Sequence, residues 1–298
     1  MIHYASCPVC KSAKINIAFE AKDFTVSHKM FEVCKCDDCQ LMFTQNIPEQ
    51  NEIGAYYQSE NYISHSDTQH GLVNRLYHII RKRTLQKKLR LLQKETGLSK
   101  GTMLDVGCGT GAFLNTMKMA GWDITGVEPD EGARKIAESR YNIQPLPSEN
   151  IFKLPVAQYD AITAWHVMEH VHQLHEYVDQ LKKICKDNGR IFIAVPNYTS
   201  ADAAVYAEVW AAYDVPRHLY HFSPASMKKL MELHGMEVEN VKPMWYDSFY
   251  VSMLSEQYKN GKGNIVKAFI NGFFSNLKAI ADNERCSSVI YLIKKRGG

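Results

Sequence analysis

The chain has 298 residues, of which 45% are hydrophobic and 22% are charged, and its formal net charge at neutral pH is +3. These values are typical of a globular protein with one sizeable core and a smaller appendage, and they give no electrostatic reason to expect a nucleic-acid or membrane partner. No apolar run reaches the roughly 20 residues that a membrane-spanning helix requires, and the N-terminus lacks a signal-peptide pattern. We therefore expect a cytoplasmic protein without membrane insertion.

The first 39 residues contain five of the eight cysteines: Cys7, Cys10, Cys34, Cys36 and Cys39. Two of the intervals, Cys7 to Cys10 and Cys36 to Cys39, are C-x-x-C pairs, which in a reducing compartment favour a tetrahedral site of four thiolates over disulfides. A module of about 40 residues has too small a hydrophobic core to fold without a cross-link such as this metal site. We predict a structural Zn²⁺ bound by both pairs, with Cys34 as a spare thiol. The segment 15–33 predicts a small hairpin, and the module resembles a zinc ribbon.

A polar stretch around Pro48 marks the first boundary and divides the chain into a zinc-ribbon-like module (1–48), an aromatic segment with a linking helix (49–98) and a main domain (99–298). The aromatic segment forms either a lid over a ligand or a strap that packs on the main domain, and its candidate substrate-binding residues are Tyr56, Tyr57 and Tyr62. The periodicity of 72–95 predicts a basic helix. Its basic side chains fit a solvent-exposed helix face, and the alternative is that they bind RNA.

Strand and helix signals alternate from residue 99 onward, which predicts a doubly wound α/β domain. Strands are expected at 102–106, 123–127, 161–164, 190–195, 236–241 and 288–293, and helices at 112–120, 132–140, 176–185, 226–234 and 265–281. Because ligands bind outside the carboxyl ends of parallel strands, we expect the residues that follow these strands to face one crevice.

Residues 104–114, LDVGCGTGAFL, read as a strand that ends in a glycine turn and opens a helix. The glycine spacing also satisfies the fingerprint of NAD enzymes, so the glycines alone leave the cofactor open. Three further features decide between the cofactors: Asp105 precedes the turn, Gly111 completes a G-x-G-x-G order, and Glu128 follows the next strand. Glu128 lies close to the roughly 20-residue spacing expected for an acid that holds a ribose diol.

This combination resembles the class I S-adenosylmethionine (SAM)-dependent methyltransferases. The resemblance implies a doubly wound, mostly parallel seven-strand sheet of Rossmann-like type, with SAM as cofactor. It implies cofactor contacts from Asp105, Gly107, Cys108, Gly109, Gly111, Glu128, Pro129, Asn150, Trp165 and His166. Asn150 stands where relatives carry an aspartate that accepts the adenine amino group, a role that an asparagine carbonyl can also fill.

An H-x-x-E-H cluster of His166, Glu169 and His170 follows the strand that ends at Trp165. Histidines four residues apart on a helix can bind a metal, but no third protein ligand is evident nearby. Sugar-modifying relatives use such a Glu–His pair to abstract a proton, whereas other family members pack it beneath the cofactor. Both roles remain open for these three candidate catalytic residues.

A second polar group, in 214–224, is similar to the P-R-H-x-x-x-F-S stretch that closes the site in many bacterial methyltransferases. Its candidates are Arg217 and Tyr220 for substrate binding and His218 and His221 for acid–base work. The alternative is an ordered loop in which Arg217 and His218 cap helix ends. We expect Ser223 to be structural, as the N-cap of the following helix.

The resemblance predicts an enzyme that transfers a methyl group from SAM to a small-molecule acceptor. Some sugar C- and O-methyltransferases combine a four-cysteine module with this domain, so a sugar or related metabolite is one candidate acceptor. The alternatives are an RNA-modifying methyltransferase and a non-catalytic SAM sensor or scaffold. The oligomeric state is left open.

Overall fold

The computed structural model describes residues 1–57, 72–245, 247–261 and 263–297, with the backbone alone for 72–80. Tyr62, one of the predicted substrate-binding residues, lies outside the described residues.

Helices and strands alternate through most of the described chain. The strands are β1 (Ile15–Lys22), β2 (Met30–Cys36), β3 (Met42–Thr44), β4 (Thr102–Val106), β5 (Asp123–Val127), β6 (Tyr159–Trp165), β7 (Cys185–Pro196), β8 (Tyr220–His221), β9 (Met236–Pro243) and β10 (Ser288–Lys295). The α-helices are α1 (Leu72–Thr96), α2 (Ala112–Met119), α3 (Glu131–Tyr141), α4 (Leu174–Ile184), α5 (Ala201–Tyr206), α6 (Pro224–Leu233), α7 (Asp247–Asn260) and α8 (Ile265–Ala281). Each strand and helix predicted beyond residue 99 is present.

The chain divides into two compact units. Unit 1 comprises Met1–Ile63, His166–His175 and Ile193–Leu292, and unit 2 comprises Ser64–Trp165, Glu176–Phe192 and Ile293–Gly298. Strands β7 and β10 each contribute residues to both units. The three-part division at residues 48 and 98 stays a prediction.

Unit 1 contains a four-stranded antiparallel sheet in the order β1-β2-β3-β8. The predicted hairpin is confirmed, with Ile15 opposite Cys36 in the β1–β2 register. Phe31 and Val33 of β2 belong to a buried core with Trp210 and Tyr213, so the N-terminal module packs on residues more than 160 positions later in the chain. The short strand β8 then extends the sheet from that later segment.

The second sheet has the order β5-β4-β6-β7-β10-β9, and β4 pairs in parallel with both β5 and β6. Its strand β4 is buried at four successive positions, as expected for a parallel strand covered on both faces. In place of a seventh strand, Leu146 makes one parallel bridge to Val127. Leu146 donates to the Gly126 carbonyl at 2.8 Å and accepts from the N–H of Glu128 at 2.9 Å, and the flanking Pro145 and Pro147, which carry no amide hydrogen, suit an edge position.

Ser223 is the N-cap of α6, as predicted. Its hydroxyl accepts a hydrogen bond from the backbone N–H of Ser226, and the Ser226 hydroxyl accepts one from the N–H of Ser223, which together form a capping box. Pro224 occupies the first helical turn, where its missing donor has no cost.

A buried carboxylate joins α5 to two later parts of unit 1. Asp202 is 1% exposed and accepts hydrogen bonds from the Trp210 indole at 2.9 Å and from the Ser275 and Ser287 hydroxyls at 2.7 Å each. Because all three donors are buried with it, the carboxylate satisfies groups that would otherwise lack a partner.

We expect Asp202→Ala to lower the free energy of unfolding by about 3 kcal/mol, because it leaves three buried donors without their acceptor. Urea unfolding followed by circular dichroism measures this change. The matched control is Asp187→Ala, which removes a carboxylate that is 83% exposed and should alter stability little. Equal effects of the two substitutions would contradict the role given to Asp202.

Candidate functional site

The turn after β4 has the backbone geometry that only glycine adopts without strain. Gly107, Gly109 and Gly111 have φ values of 68°, 52° and 76°, in the left-handed region. Gly111 precedes the first residue of α2, and a Cβ on it would lie 2.9 Å from the Cβ of Ala137. The sequence pattern therefore reflects both conformation and close packing at this corner.

Asp105 lies near the carboxyl end of β4 and is 2% exposed. Its Oδ1 accepts a hydrogen bond from the Thr163 hydroxyl at 2.5 Å. Burial raises the pKa of Asp105 to about 7, although the Thr163 hydrogen bond and the charge of Lys88 act in the opposite direction. A buried carboxyl of this kind is well suited to pair with a cationic ligand group, which would restore its charged form.

Glu128 follows β5 directly and is 8% exposed. Its Oε2 accepts a hydrogen bond from the backbone N–H of Gly109 at 2.8 Å, and its Oε1 accepts one from the N–H of Asp130 at 3.0 Å. Burial raises its pKa, against the effect of these two hydrogen bonds. The side chain is thus fixed beside the glycine turn, in the position that suits a ribose-binding acid.

Trp165 ends β6 and adds an aromatic face to unit 2. The Lys88 ammonium lies 4.0 Å from the centre of the Trp165 ring, and Phe113 meets the same ring edge-on at 5.8 Å. The indole Nε1 is buried without a hydrogen-bond partner among the described groups. Lys88 is one of several basic residues on α1, and nothing in the sequence distinguishes it from the others.

The polar groups and the glycine turn of unit 2 fit SAM. They offer two buried carboxyl groups for a methionyl ammonium and a ribose diol, a turn with three glycines at which a ligand can approach the backbone, and a buried indole donor without a partner among the described groups. Of the other predicted cofactor contacts, Cys108 is buried in the turn, Pro129 is exposed, and Asn150 lies in the 3₁₀ turn Ser148–Lys153. Their predicted roles remain predictions.

The four predicted zinc ligands converge in unit 1. The Sγ atoms of Cys7 and Cys39 are 3.5 Å apart, as are those of Cys10 and Cys36, and all four sulfurs lie within 4.8 Å of one another. A tetrahedral Zn²⁺ with Zn–S bonds of about 2.3 Å separates its sulfurs by roughly 3.8 Å. The cluster is therefore compatible with a structural zinc.

The two C-x-x-C turns have the same backbone geometry. The N–H of Lys11 donates to the carbonyl of Cys7 at 3.0 Å, and the N–H of Gln40 donates to that of Cys36 at the same distance. Both Lys11 and Gln40 have a φ of 61°. This repetition is typical of paired zinc knuckles. Cys34 is absent from the described cluster of four cysteines, as predicted.

His166 is held between two carboxylates of unit 1. Its Nδ1 lies 3.2 Å from Oε1 of Glu169 and its Nε2 lies 2.9 Å from Oδ2 of Asp247. Burial opposes its protonation, but the hydrogen bonds to Asp247 and Glu169 outweigh burial and raise the pKa of His166 to about 10. The ring is thus an imidazolium at neutral pH. Its φ of 57° is unusual for a non-glycine residue.

Glu169 is fully buried, and its second oxygen, Oε2, has no hydrogen-bond partner among the described groups. Burial raises its pKa, but the neighbouring His166 lowers the value to about 2, so the carboxylate is charged. Glu169, His170 and His218 also form a second described group that could hold a metal ion, with their ligand atoms within 4.8 Å of one another. This group differs from the pair of histidines considered in the sequence.

His170 contacts two segments that the sequence did not connect to it. Its Nδ1 lies 3.0 Å from both the Tyr57 hydroxyl and the Arg217 carbonyl. Burial and the adjacent His218 lower its pKa to about 4, so the ring is neutral. Nδ1 of His218 donates to the carbonyl of Ala212 at 2.8 Å.

The remaining predicted residues of the 214–224 segment are engaged inside unit 1. Arg217 is 1% exposed and pairs with Asp23 and Asp214. Tyr220 is 2% exposed, and its hydroxyl donates to the carbonyl of His172 at 3.3 Å. His221 is buried, its Nε2 lies 3.1 Å from the Thr44 hydroxyl, and burial lowers its pKa to about 3. All three side chains are therefore engaged with neighbouring groups of unit 1, and their roles in acceptor binding and proton transfer stay predictions.

The glycine turn and the paired acids at the ends of two adjacent parallel strands define a Rossmann-like nucleotide-binding domain. A family model described as a methyltransferase domain matches residues 77–241, more than half of the chain. The chain belongs to this methyltransferase family, whose cofactor is SAM.

Curated relatives include the mitochondrial ubiquinone biosynthesis O-methyltransferase of Bos taurus, 28% identical over 169 residues that cover 51% of this chain and 45% of that protein. A ubiquinone biosynthesis O-methyltransferase of Bordetella avium is 29% identical over 54% of this chain and 72% of that protein. The chain thus spans less than half of the bovine relative. A putative sarcosine dimethylglycine methyltransferase of Galdieria sulphuraria shares the fold, with a TM-score of 0.50, 13% identity and coverage of 75% of this chain and 88% of that structure.

We expect the purified protein to contain about one zinc per chain, because four thiolates complete a tetrahedral site. Cys7→Ser should lose the metal, whereas Cys34→Ser should keep it, and elemental analysis with a thiol titration measures both. His166→Ala serves as a second control and should also retain zinc. Equal loss from Cys7→Ser and Cys34→Ser would contradict the ligand assignment.

Proposed function

We propose that the protein is an enzyme that transfers a methyl group from SAM to a small-molecule acceptor. The observation that carries this proposal is the pair Asp105 and Glu128, both buried and both beside the positive-φ glycine turn. An acid before the turn and another after the next strand suit the two polar ends of a methionyl-nucleoside. SAM supplies a sulfonium methyl group with a good leaving group.

Three side chains of unit 2 are assigned to SAM in this proposal. Asp105 pairs with the methionyl ammonium and Glu128 holds the ribose hydroxyls. Lys88, whose charge already acts on Asp105, is assigned to the methionyl carboxylate. Asn150 is kept as the acceptor for the adenine amino group, on the strength of its place in the sequence motif.

The proposed acceptor atom is a hydroxyl oxygen, because the relatives in cattle and Bordetella avium are O-methyltransferases by name. A hydroxyl becomes a better nucleophile as it loses its proton and gains negative charge. His166 is the described histidine best suited to stabilise that charge, since two carboxylates keep it cationic and its side chain is 33% exposed. We assign it this electrostatic role in place of proton abstraction: the O–CH₃ bond forms as the S–CH₃ bond of SAM breaks, S-adenosylhomocysteine leaves, and the hydroxyl proton passes to solvent water.

Tyr56 and Tyr57 remain the candidate acceptor contacts of the aromatic segment, and both are partly buried. A small acceptor is favoured over nucleic acid because the formal net charge of the chain is only +3. A cytoplasmic location is proposed because a four-thiolate zinc site requires reduced cysteines.

Purified protein should bind SAM saturably, and Asp105→Ala and Glu128→Ala should each weaken binding roughly 10- to 100-fold, the usual cost of a lost hydrogen bond to a charged group. Isothermal titration calorimetry measures the dissociation constants. Asp123→Ala is the matched control, because it removes an exposed acid from the opposite end of β5.

Wild-type affinity in both site variants would reject the SAM assignment. Catalysis is tested separately by incubating the enzyme and isotopically labelled SAM with a metabolite extract, followed by mass spectrometry. Labelled product together with S-adenosylhomocysteine is expected. Saturable SAM binding without either product would favour the sensor or scaffold alternative.

The role of His166 predicts a specific pH dependence. Its raised pKa keeps it charged below about pH 10, and the charge is lost as the pH rises through that value. Asp247→Asn replaces one stabilising carboxylate with a neutral amide, so the alkaline fall in kcat/KM should move to lower pH. His166→Ala should lower kcat by roughly 10²- to 10³-fold.

The control for this profile is Asp187→Asn, an exposed acid on β7 whose replacement should leave the alkaline limb in place. Superimposable profiles for the wild type and Asp247→Asn would reject the proposed charge on His166.

A further inference from the structure

Helix α8 is packed with its large apolar side chains outward and its small side chains inward. Its buried residues are Ala268, Gly272, Ser275 and Ala279. A Cβ added to Gly272 would lie 2.8 to 3.2 Å from side-chain and backbone atoms of Phe249 on α7, so the two helices touch along this stripe. The usual order, with large apolar groups buried, is reversed.

Polar contacts fix α8 in this orientation. The Ser275 hydroxyl donates to buried Asp202 at 2.7 Å, the Asn271 amide donates to the Tyr206 hydroxyl at 2.9 Å, and the Asn276 amide donates to the carbonyl of Trp245 at 2.8 Å. Turning the helix to bury its large side chains would break all three. The outward position of those side chains is therefore built into unit 1.

The outward face is apolar along the whole helix. Phe269 is 62% exposed, Phe274 is 58% exposed and Ile280 is 70% exposed. At the helical repeat, the large exposed residues share one half of the circumference. They are Ile265, Val266, Phe269, Ile270, Phe273, Phe274, Leu277 and Ile280. We call this set the α8 apolar face, and contiguous surfaces of this kind mark interaction sites.

The charged side chains of α8 itself are all lysines, and the acids that follow the helix, Asp282 and Glu284, pair with Arg285 and Lys228. Residues 257–281 contain no aspartate or glutamate but include four lysines, in a chain with 32 acidic residues. Lys267 and Lys278 lie on the exposed edge between the apolar face and the buried stripe. An apolar face of Phe, Leu and Ile with lysines beside it is the signature of a helix that lies in the interface of a membrane.

We propose that α8 binds the surface of a membrane that contains anionic lipids, with its apolar face among the acyl chains and its lysines at the lipid phosphates. The helix lies on the bilayer and does not cross it, since no described helix is long and apolar enough to span a membrane. This inference does not depend on the proposed methyl transfer.

A membrane is favoured over a second copy of the chain because of the charges. Two copies joined through this face would bring their lysines together, and the flanking acids are engaged elsewhere: Glu256 is buried, and Asp282 and Glu284 pair with Arg285 and Lys228. Anionic headgroups provide those missing partners without any further protein surface.

The test is co-sedimentation of the full chain with vesicles of phosphatidylglycerol and phosphatidylcholine, compared with pure phosphatidylcholine vesicles. Strong binding to the anionic vesicles alone is expected, decreasing with added salt. Lys267→Gln with Lys278→Gln should weaken it about 25-fold, since each lysine near an anionic surface contributes about fivefold. Phe269→Ser with Phe273→Ser should abolish it.

The matched control is Met119→Ser with Val156→Ser, which removes two exposed apolar side chains outside α8 and should bind vesicles like the wild type. Zinc content and circular dichroism verify that each variant is folded. Wild-type protein that fails to sediment with anionic vesicles overturns the proposal. So does a dimer, detected by light scattering, that becomes a monomer in the Phe269→Ser, Phe273→Ser variant while vesicle binding is absent.

Discussion

The left-handed turn between β4 and α2 is the constraint on which the arrangement of the candidate SAM site in unit 2 depends. Gly107, Gly109 and Gly111 all have positive φ, so a side chain at any of them introduces strain of about 1 kcal/mol or more. The turn directs the Gly109 N–H at the Glu128 carboxylate, while the parallel pairing of β4 with β5 brings Asp105 and Glu128 to neighbouring strand ends. One local backbone conformation therefore starts a helix and fixes one of the two acids by hydrogen bonding.

In unit 1 a largely buried cluster of three charged side chains links the N-terminal hairpin to a segment much later in the chain. The Arg217 guanidinium donates to Asp214 at 2.6 Å and to Asp23 at 3.1 Å, and the Asp23 carboxylate also accepts hydrogen bonds from the 25–27 turn. A buried charge persists only when its partners offset the cost of removing it from water. These partners come from the hairpin module and from a segment about 190 residues later, so the module cannot separate from that segment without exposing or isolating the charges. The same contacts explain why Arg217 is engaged in structure instead of facing solvent.

Local signals made much of the fold predictable. The glycine turn, the two C-x-x-C pairs and the Ser223 cap each depend on residues within a few positions of one another. The partners of the candidate catalytic residues do not: His166 meets Asp247 across 81 positions, and no sequence period links them. Helix α8 shows a second limit, because its bounds follow from periodicity but its buried face does not. Its sequence contains both a small-residue stripe and a large apolar stripe, and packing against α7 selected the small one.

The histidines show how environment assigns chemistry to identical side chains. His166 is flanked by two carboxylates that outweigh its burial, so it carries a positive charge. His221 is buried beside the Thr44 hydroxyl, which donates its proton to the His218 carbonyl at 2.7 Å and so must accept from the His221 ring. In both His221 and His170, burial lowers the pKa of the ring more than the nearby carboxylates raise it. Both rings therefore stay neutral. A cation stabilises developing negative charge, whereas a neutral ring held by buried hydrogen bonds mainly fixes the segments that it joins. The sequence motif treats these residues as equivalent, but their partners give them different charge states.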